Sequence, residues 1–103
     1  MQESSLQRTA EIFTALGNEH RLRIVELLRD GGRCVCQIAP EFDLDLSVVS
    51  RHLSVLEQAG IIISRREGRW IHYRLADRRV LKLLSLFAGT VPGMVPQGPR
   101  RAC

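Results

Sequence analysis

Leu46-Ser47-Val48-Val49-Ser50-Arg51-His52-Leu53-Ser54-Val55-Leu56-Glu57-Gln58-Ala59-Gly60 is the stretch on which the fold turns. Val49, Leu53 and Leu56 recur at helical spacing and line one face, Asp45 stands at the N-cap position, and Gly60 ends the run. Immediately upstream, Val35, Ile38 and Phe42 form a shorter helical stripe with Pro40 in its interior, so its hydrogen-bond ladder is expected to be imperfect. The two segments together read as a helix-turn-helix. Downstream the period changes from helical to two. Ile61-Ile62-Ile63 is a β-branched run, Arg66-Glu67-Gly68-Arg69 is turn-like, and Trp70, His72 and Arg74 alternate with Ile71, Tyr73 and Leu75. This predicts a two-stranded hairpin directly after the helix-turn-helix.

Further out, Leu6, Ile12, Phe13 and Leu16 predict a first helix closed by Gly17 in the manner of a C-cap glycine. Asn18 caps a second, whose face is built from Leu22, Ile24, Val25, Leu27 and Leu28 and which ends at Gly31-Gly32. On the other side, Val80-Leu81-Lys82-Leu83-Leu84-Ser85-Leu86-Phe87 is apolar nearly all round, which predicts a fifth helix with a partner surface. Beyond it, Pro92, Gly93, Pro96, Gly98 and Pro99 exclude a continued helix. The chain therefore divides into a folded domain over 1–88 and a flexible Pro/Gly-rich tail over 89–103. The fold class is mainly α, five helices with a β-hairpin.

With 103 residues, 45% hydrophobic and 25% charged, there is material for one core and not two. The net charge is +4, and fourteen of the fifteen basic residues are Arg, whose planar fork suits phosphate and base edges. Nucleic acid is the expected partner. Val80 to Gln97 is broken by Lys82, Pro and Gly and falls short of the roughly 20 apolar residues of a membrane span. The N-terminus Met1-Gln2-Glu3-Ser4-Ser5 has no apolar export segment, so the chain is expected to be cytoplasmic. No nucleophile with a placed base, no paired carboxylates and no Gly-rich phosphate loop stand out, which argues against an enzyme.

In a helix-turn-helix, the N-terminal residues of the second helix meet base edges in the major groove. Ser47, Val48, Ser50, Arg51 and His52 are the candidates here. Arg51 can read guanine or hold a phosphate, the hydroxyls read either partner, and Val48 suits a thymine methyl. The alternative for Val48 and His52 is packing. In the hairpin, Arg65, Arg66, Arg69 and Arg74 against Glu67 leave three positive charges in excess, suited to the backbone and minor groove beside the helix. The alternative is a solvated charged turn, and Trp70 reads as hairpin packing.

The helix and hairpin order, with Leu22-Arg23-Ile24, Val49-Ser50-Arg51-His52-Leu53, Leu56-Glu57-Gln58-Ala59-Gly60 and Arg65-Arg66-Glu67-Gly68-Arg69, resembles the ArsR/SmtB family of winged helix-turn-helix repressors over Leu6 to Phe87. The resemblance implies a homodimer joined through the first and last helices. It also implies binding to double-stranded, pseudopalindromic operator DNA and release by a metal or other signal.

Three cysteines cannot pair evenly, and two lie two residues apart, which in a reducing compartment points to metal or redox chemistry. Cys34-Val35-Cys36 resembles the Cys-Val-Cys element of that family's arsenic and antimony sensors, which also occurs in its cadmium and lead sensors. A soft ion such as As(III) or Sb(III) takes about three thiolates, and a helix N-terminus favours the thiolate form. Positions two apart on an ideal helix point about 200° away from each other. Sharing an ion therefore competes with a regular third helix, and Pro40 already weakens that helix by lacking the N–H that would reach the carbonyl of Cys36. The expected mechanism is that the inducer unwinds the start of the third helix and shifts the recognition helix.

The family's arsenic sensors carry a third Cys just after the pair, whereas Gln37, Ile38, Ala39 and Pro40 stand here. Cys103 is the candidate third ligand, because the chain from Phe87 averages about 20 to 24 Å end to end and stretches to about 50 Å. A free thiol or a ligand from the other subunit are the alternatives. The family's interhelical site in the last helix has no counterpart, since no His or acid follows Asp77 up to Phe87. His20 and His72 read as capping or surface residues. The bland reading of the pair is two small buried side chains; the competing functional ones are a cadmium or lead sensor and a thiol redox switch.

Overall fold

The computed structural model describes residues 3–87. The elements run α1 (Glu3–Leu16), α2 (Glu19–Leu27), β1 (Arg33–Cys34), α3 (Val35–Ile38), a 3-10 turn (Ala39–Glu41), α4 (Leu46–Gln58), β2 (Ile62–Glu67), β3 (Trp70–Leu75) and α5 (Arg79–Ser85). Among the described residues these are the five expected helices and a sheet of three strands in the order β1-β3-β2. No helix among them is long and apolar enough to cross a membrane. Cys103 and the proposed tail boundary lie outside the described residues.

α2 and α4 bury the faces that their periodicity marks, whereas of the stripe expected on α1 Leu16 is buried, Ile12 is half-buried, and Leu6 and Phe13 stay exposed. Ile24, Val25, Leu27 and Leu28 of α2 and its C-cap, Val49, Leu53 and Leu56 of α4, and Ile38 of α3 meet in one core. Ala15 and Leu16 close it from α1, Ile62 and Leu75 from the sheet, and Val80, Leu81 and Leu84 from α5. Asn18 caps α2 as expected, its side-chain oxygen accepting from the backbone N–H of His20 and Arg21 at 2.9 and 3.2 Å.

Gly60 ends α4 with φ 78°, while the N–H of Ile61 bonds to Leu56 O at 3.0 Å and that of Gly60 to Glu57 O at 2.9 Å. This double closure requires a left-handed residue, which is why Gly stands there. Two expected caps take other forms. Gly17 lies outside the positive-φ region and serves as a plain linker. Asp45 occupies the N-cap of α4 with extended backbone but without a side-chain cap bond.

Pro40 does not lie inside an α-helix. The α-helix stops after one turn at Ile38, and Pro40 sits in the first turn of the 3-10 segment, where its missing N–H costs no ladder bond. The hairpin is also not alone. β1 adds to the free edge of β3, with Arg33 opposite Tyr73 and Cys34 opposite His72, while β2 pairs with β3 from Ile62↔Leu75 to Glu67↔Trp70. Two residues carry no readable period, which is why this strand escapes a pattern search.

Candidate nucleic-acid interface and sulfur pair

Because Val49, Leu53 and Leu56 face the core, the opposite side of α4 is turned outward. Ser47, Ser50 and Arg51 are exposed there together with Leu46 and Ser54, and Val48 lies half-buried beside them. Two hydroxyls and a guanidinium on the first turns of one helix form a small polar face with hydrogen-bond donors and acceptors. His52 stands at its inner margin, half-buried and turned toward α2. Arg21 Nη1 lies 3.2 Å from His52 Nδ1, and the His20 ring is 5.5 Å from the His52 ring, centroid to centroid. Burial first, then the charges of Arg21, His20 and Arg51, hold the His52 imidazole below its ordinary pKa.

His20 does not stand alone as its isolated place in the sequence suggests. It also meets Phe42 edge-on at 5.8 Å, and Arg23 lies over the Phe42 ring at 5.3 Å. Phe42, in the loop that leads into α4, is thus held against α2. Arg21 and His20 are residues that sequence reasoning missed; the signal available was their position on the first turn of a capped helix.

The hairpin projects Arg65, Arg66 and Arg69 into solvent around Gly68, whose φ of 63° makes the tight two-residue turn possible. Glu67 partly offsets them, 3.8 Å from Arg65 Nε and 4.0 Å from His72 Nε2. Trp70 is 48% exposed beside this basic tip, not packed away as expected. Among the described residues only two strands reach this height, and no opposing layer covers it.

The cysteine pair sits where β1 passes into α3. Cys34 is not helical: it is the N-cap residue, with φ −69° and ψ 150°, and its buried Sγ accepts from Cys36 N–H at 3.2 Å. Gln37, directly after the pair, returns its Oε1 to Cys34 N–H at 3.0 Å. This is a capping box with sulfur in the role usually taken by an oxygen. The expectation that both cysteines ride one helical turn is therefore corrected, because β1 holds Cys34 extended through its pairing with His72. Cys36 is half-buried and disulfide-bonded. Among the described residues no three His, Cys, Asp or Glu side chains converge on one point, so these residues supply no third ligand beside the pair.

Comparison with known proteins bears on both features. The family described as bacterial regulatory protein, arsR family, matches residues 18–64, which run from the cap of α2 into β2. An HTH-type transcriptional regulator of Methanocaldococcus jannaschii is 41% identical over 81 residues, covering 78% of this chain and 91% of that one. The arsenical resistance operon repressor of Escherichia coli K12 is 40% identical over 67 residues, covering 64% of this chain and 57% of the repressor. Among solved structures, a homodimeric winged helix-turn-helix DNA-binding domain from Mycobacterium bovis superposes with a TM-score of 0.76 at 33% identity, covering 86% of this chain and 85% of that one.

Proposed function

Since the chain belongs to the arsR family of bacterial regulatory proteins, we propose that it is a cytoplasmic repressor. It binds double-stranded operator DNA as a homodimer and, with the Cys36 disulfide reduced by cellular thiols, leaves it when As(III) or Sb(III) is captured by cysteine thiolates. The observation that carries the metalloid part is the placement of Cys34 and Cys36 at the joint of β1 and α3, one turn ahead of the segment leading into α4. The similarity to an arsenical resistance repressor supports it, although this chain spans only 57% of that protein's length.

In this reading Ser47, Ser50 and Arg51 meet base edges, with Val48 and His52 bordering them, while Arg65, Arg66 and Arg69 hold phosphates and the minor groove beside them. Dimerisation covers the apolar side chains left outside, Leu6 and Phe13 on α1 and Leu86 and Phe87 after α5, each more than half exposed in the single chain. The inducer acts on the capping box. An ion that draws Cys34 Sγ to itself takes the acceptor from Cys36 N–H and loosens the first turn of α3. Strain at Cys34 also passes into the wing, because its β-partner is His72 of β3. Cys103 completes the three-thiolate set that trivalent arsenic prefers.

One observation favours a second reading: Cys36 is disulfide-bonded, its sulfur already in the oxidised state, and a thiol redox switch that reduction reverses would use the same joint. Fluorescence anisotropy of the reduced protein on DNA from its own upstream region separates the readings. Arsenite, a methylated trivalent arsenical, cadmium, zinc and peroxide are titrated in parallel. Release by the arsenicals supports the proposal. Release by cadmium alone or peroxide alone replaces the inducer, and absence of specific DNA binding overturns the reading altogether.

A further inference from the structure

Arg21 carries more contacts than a surface residue of a short helix needs. Its Nε donates to Ala15 O at 2.6 Å and its Nη2 to Thr14 O at 3.3 Å, both carbonyls of the last turn of α1. Its Nη1 reaches His52 Nδ1 on α4 at 3.2 Å. A guanidinium has donors only, so Nδ1 must be the acceptor, and the proton of the neutral ring then resides on Nε2. One side chain rooted in α2 thus closes the carbonyl end of α1 and grips the middle of α4. The groups facing His52 are Arg21 and His20 from α2 and Arg51 from α4 itself, and all three, together with burial, oppose the protonated ring that would abolish the bond.

We propose that Arg21 is the positioning residue of the DNA-reading helix: acting through His52, it sets the placement of Ser47, Ser50 and Arg51 relative to α1. The inference rests on the DNA-binding reading above and deepens it, since α1 also carries the exposed Leu6 and Phe13 assigned to the dimer. The geometry of the dimer is then passed to the base-reading face through three hydrogen bonds of one guanidinium. Lysine cannot replace it, because a single ammonium does not supply the same planar fork.

The test uses Arg21→Lys in the full chain, which keeps the charge. A misplaced reading helix loses base contacts but keeps phosphate attraction. Operator affinity is therefore expected to fall about tenfold, the effect of losing one good base contact, with affinity for a non-specific duplex and the salt slope unchanged. His52→Asn, whose Oδ1 can accept from Arg21 where Nδ1 did, is expected to retain the operator preference better than His52→Leu. Imidazole nitrogen NMR of the free protein provides a signature that a merely structural role would not move. His52 is expected as the Nε2–H tautomer in the wild type and as a mixture in Arg21→Lys.

An Nδ1–H tautomer in the wild type, or an unchanged operator preference in Arg21→Lys, overturns the proposal. If the wild type itself shows no operator preference, the DNA reading fails instead, and the tautomer still decides whether the bridge exists.

Discussion

Replacing Arg69 by Ala tests the proposal that the wing holds DNA. Arg69 follows Gly68 at the hairpin tip and is exposed, whereas Arg65 is drawn toward Glu67 at 3.8 Å. Its removal touches no core residue and changes stability by no more than about 0.5 kcal/mol. The proposed homodimer presents Arg69 twice, so the substitution would delete two of the proposed phosphate contacts. At about 0.9 counterions released per contact, the slope of log affinity against log salt becomes shallower by about 1.8. Between about 50 and 200 mM salt, the wild type should then lose about twelvefold more affinity than the variant. Anisotropy titrations on one operator duplex at three or more salt concentrations give both slopes. Equal slopes would refute the phosphate role. Equal slopes with weaker binding at every salt concentration would turn Arg69 into a reader of bases or shape.

Other consequences follow from burial and backbone. Leu53→Ala opens a void under α4, where Leu53 is 1% exposed, and should cost about 2–5 kcal/mol in urea unfolding; a loss under about 1 kcal/mol would mean that α4 is not anchored there. At Gly60, with φ 78°, Ala should destabilise by about 1–2 kcal/mol, and Asn, which tolerates the left-handed region, by clearly less; an equal cost for both would contradict the closure described. Because His52 is held below its ordinary pKa of about 6.5, the unfolded chain takes up its proton first as pH falls. Stability from this residue is therefore fully present above that value and declines as pH drops from it through the folded-state value. Thermal midpoints across this range should fall less steeply in His52→Asn than in the wild type, and parallel curves would show that His52 is not displaced.

The parts of the fold that were legible in the sequence are those whose pattern repeats. Val49, Leu53 and Leu56 give three successive statements of one helical face, and Trp70 to Leu75 three alternations of a strand, so α4 and the wing follow from periodicity alone. Residues fixed by a distant partner were not legible. Cys34 reads as the start of a helix, yet pairing with His72, far along the chain, holds it extended and makes it a cap. Pro40 reads as a helix breaker, but the chain had already changed to a 3-10 turn at Ala39. His20 reads as isolated because its neighbours, Phe42 and His52, approach only in three dimensions. For the candidate site, Ser47, Ser50 and Arg51 could be placed from the buried stripe opposite them. The link from Arg21 to His52 could not, because no spacing rule connects residues on different helices.

Capture of trivalent arsenic by the sulfurs of Cys34 and Cys36 is the proposal on which the inducer mechanism stands. The arsenic K-edge X-ray absorption spectrum of the reduced protein with one equivalent of arsenite tests it most directly. The wild type is expected to show an arsenic shell of sulfur, with oxygen replacing sulfur in Cys34→Ser and in Cys36→Ser. A wild-type spectrum with the oxygen shell of free arsenite, or one unchanged by either substitution, would contradict it.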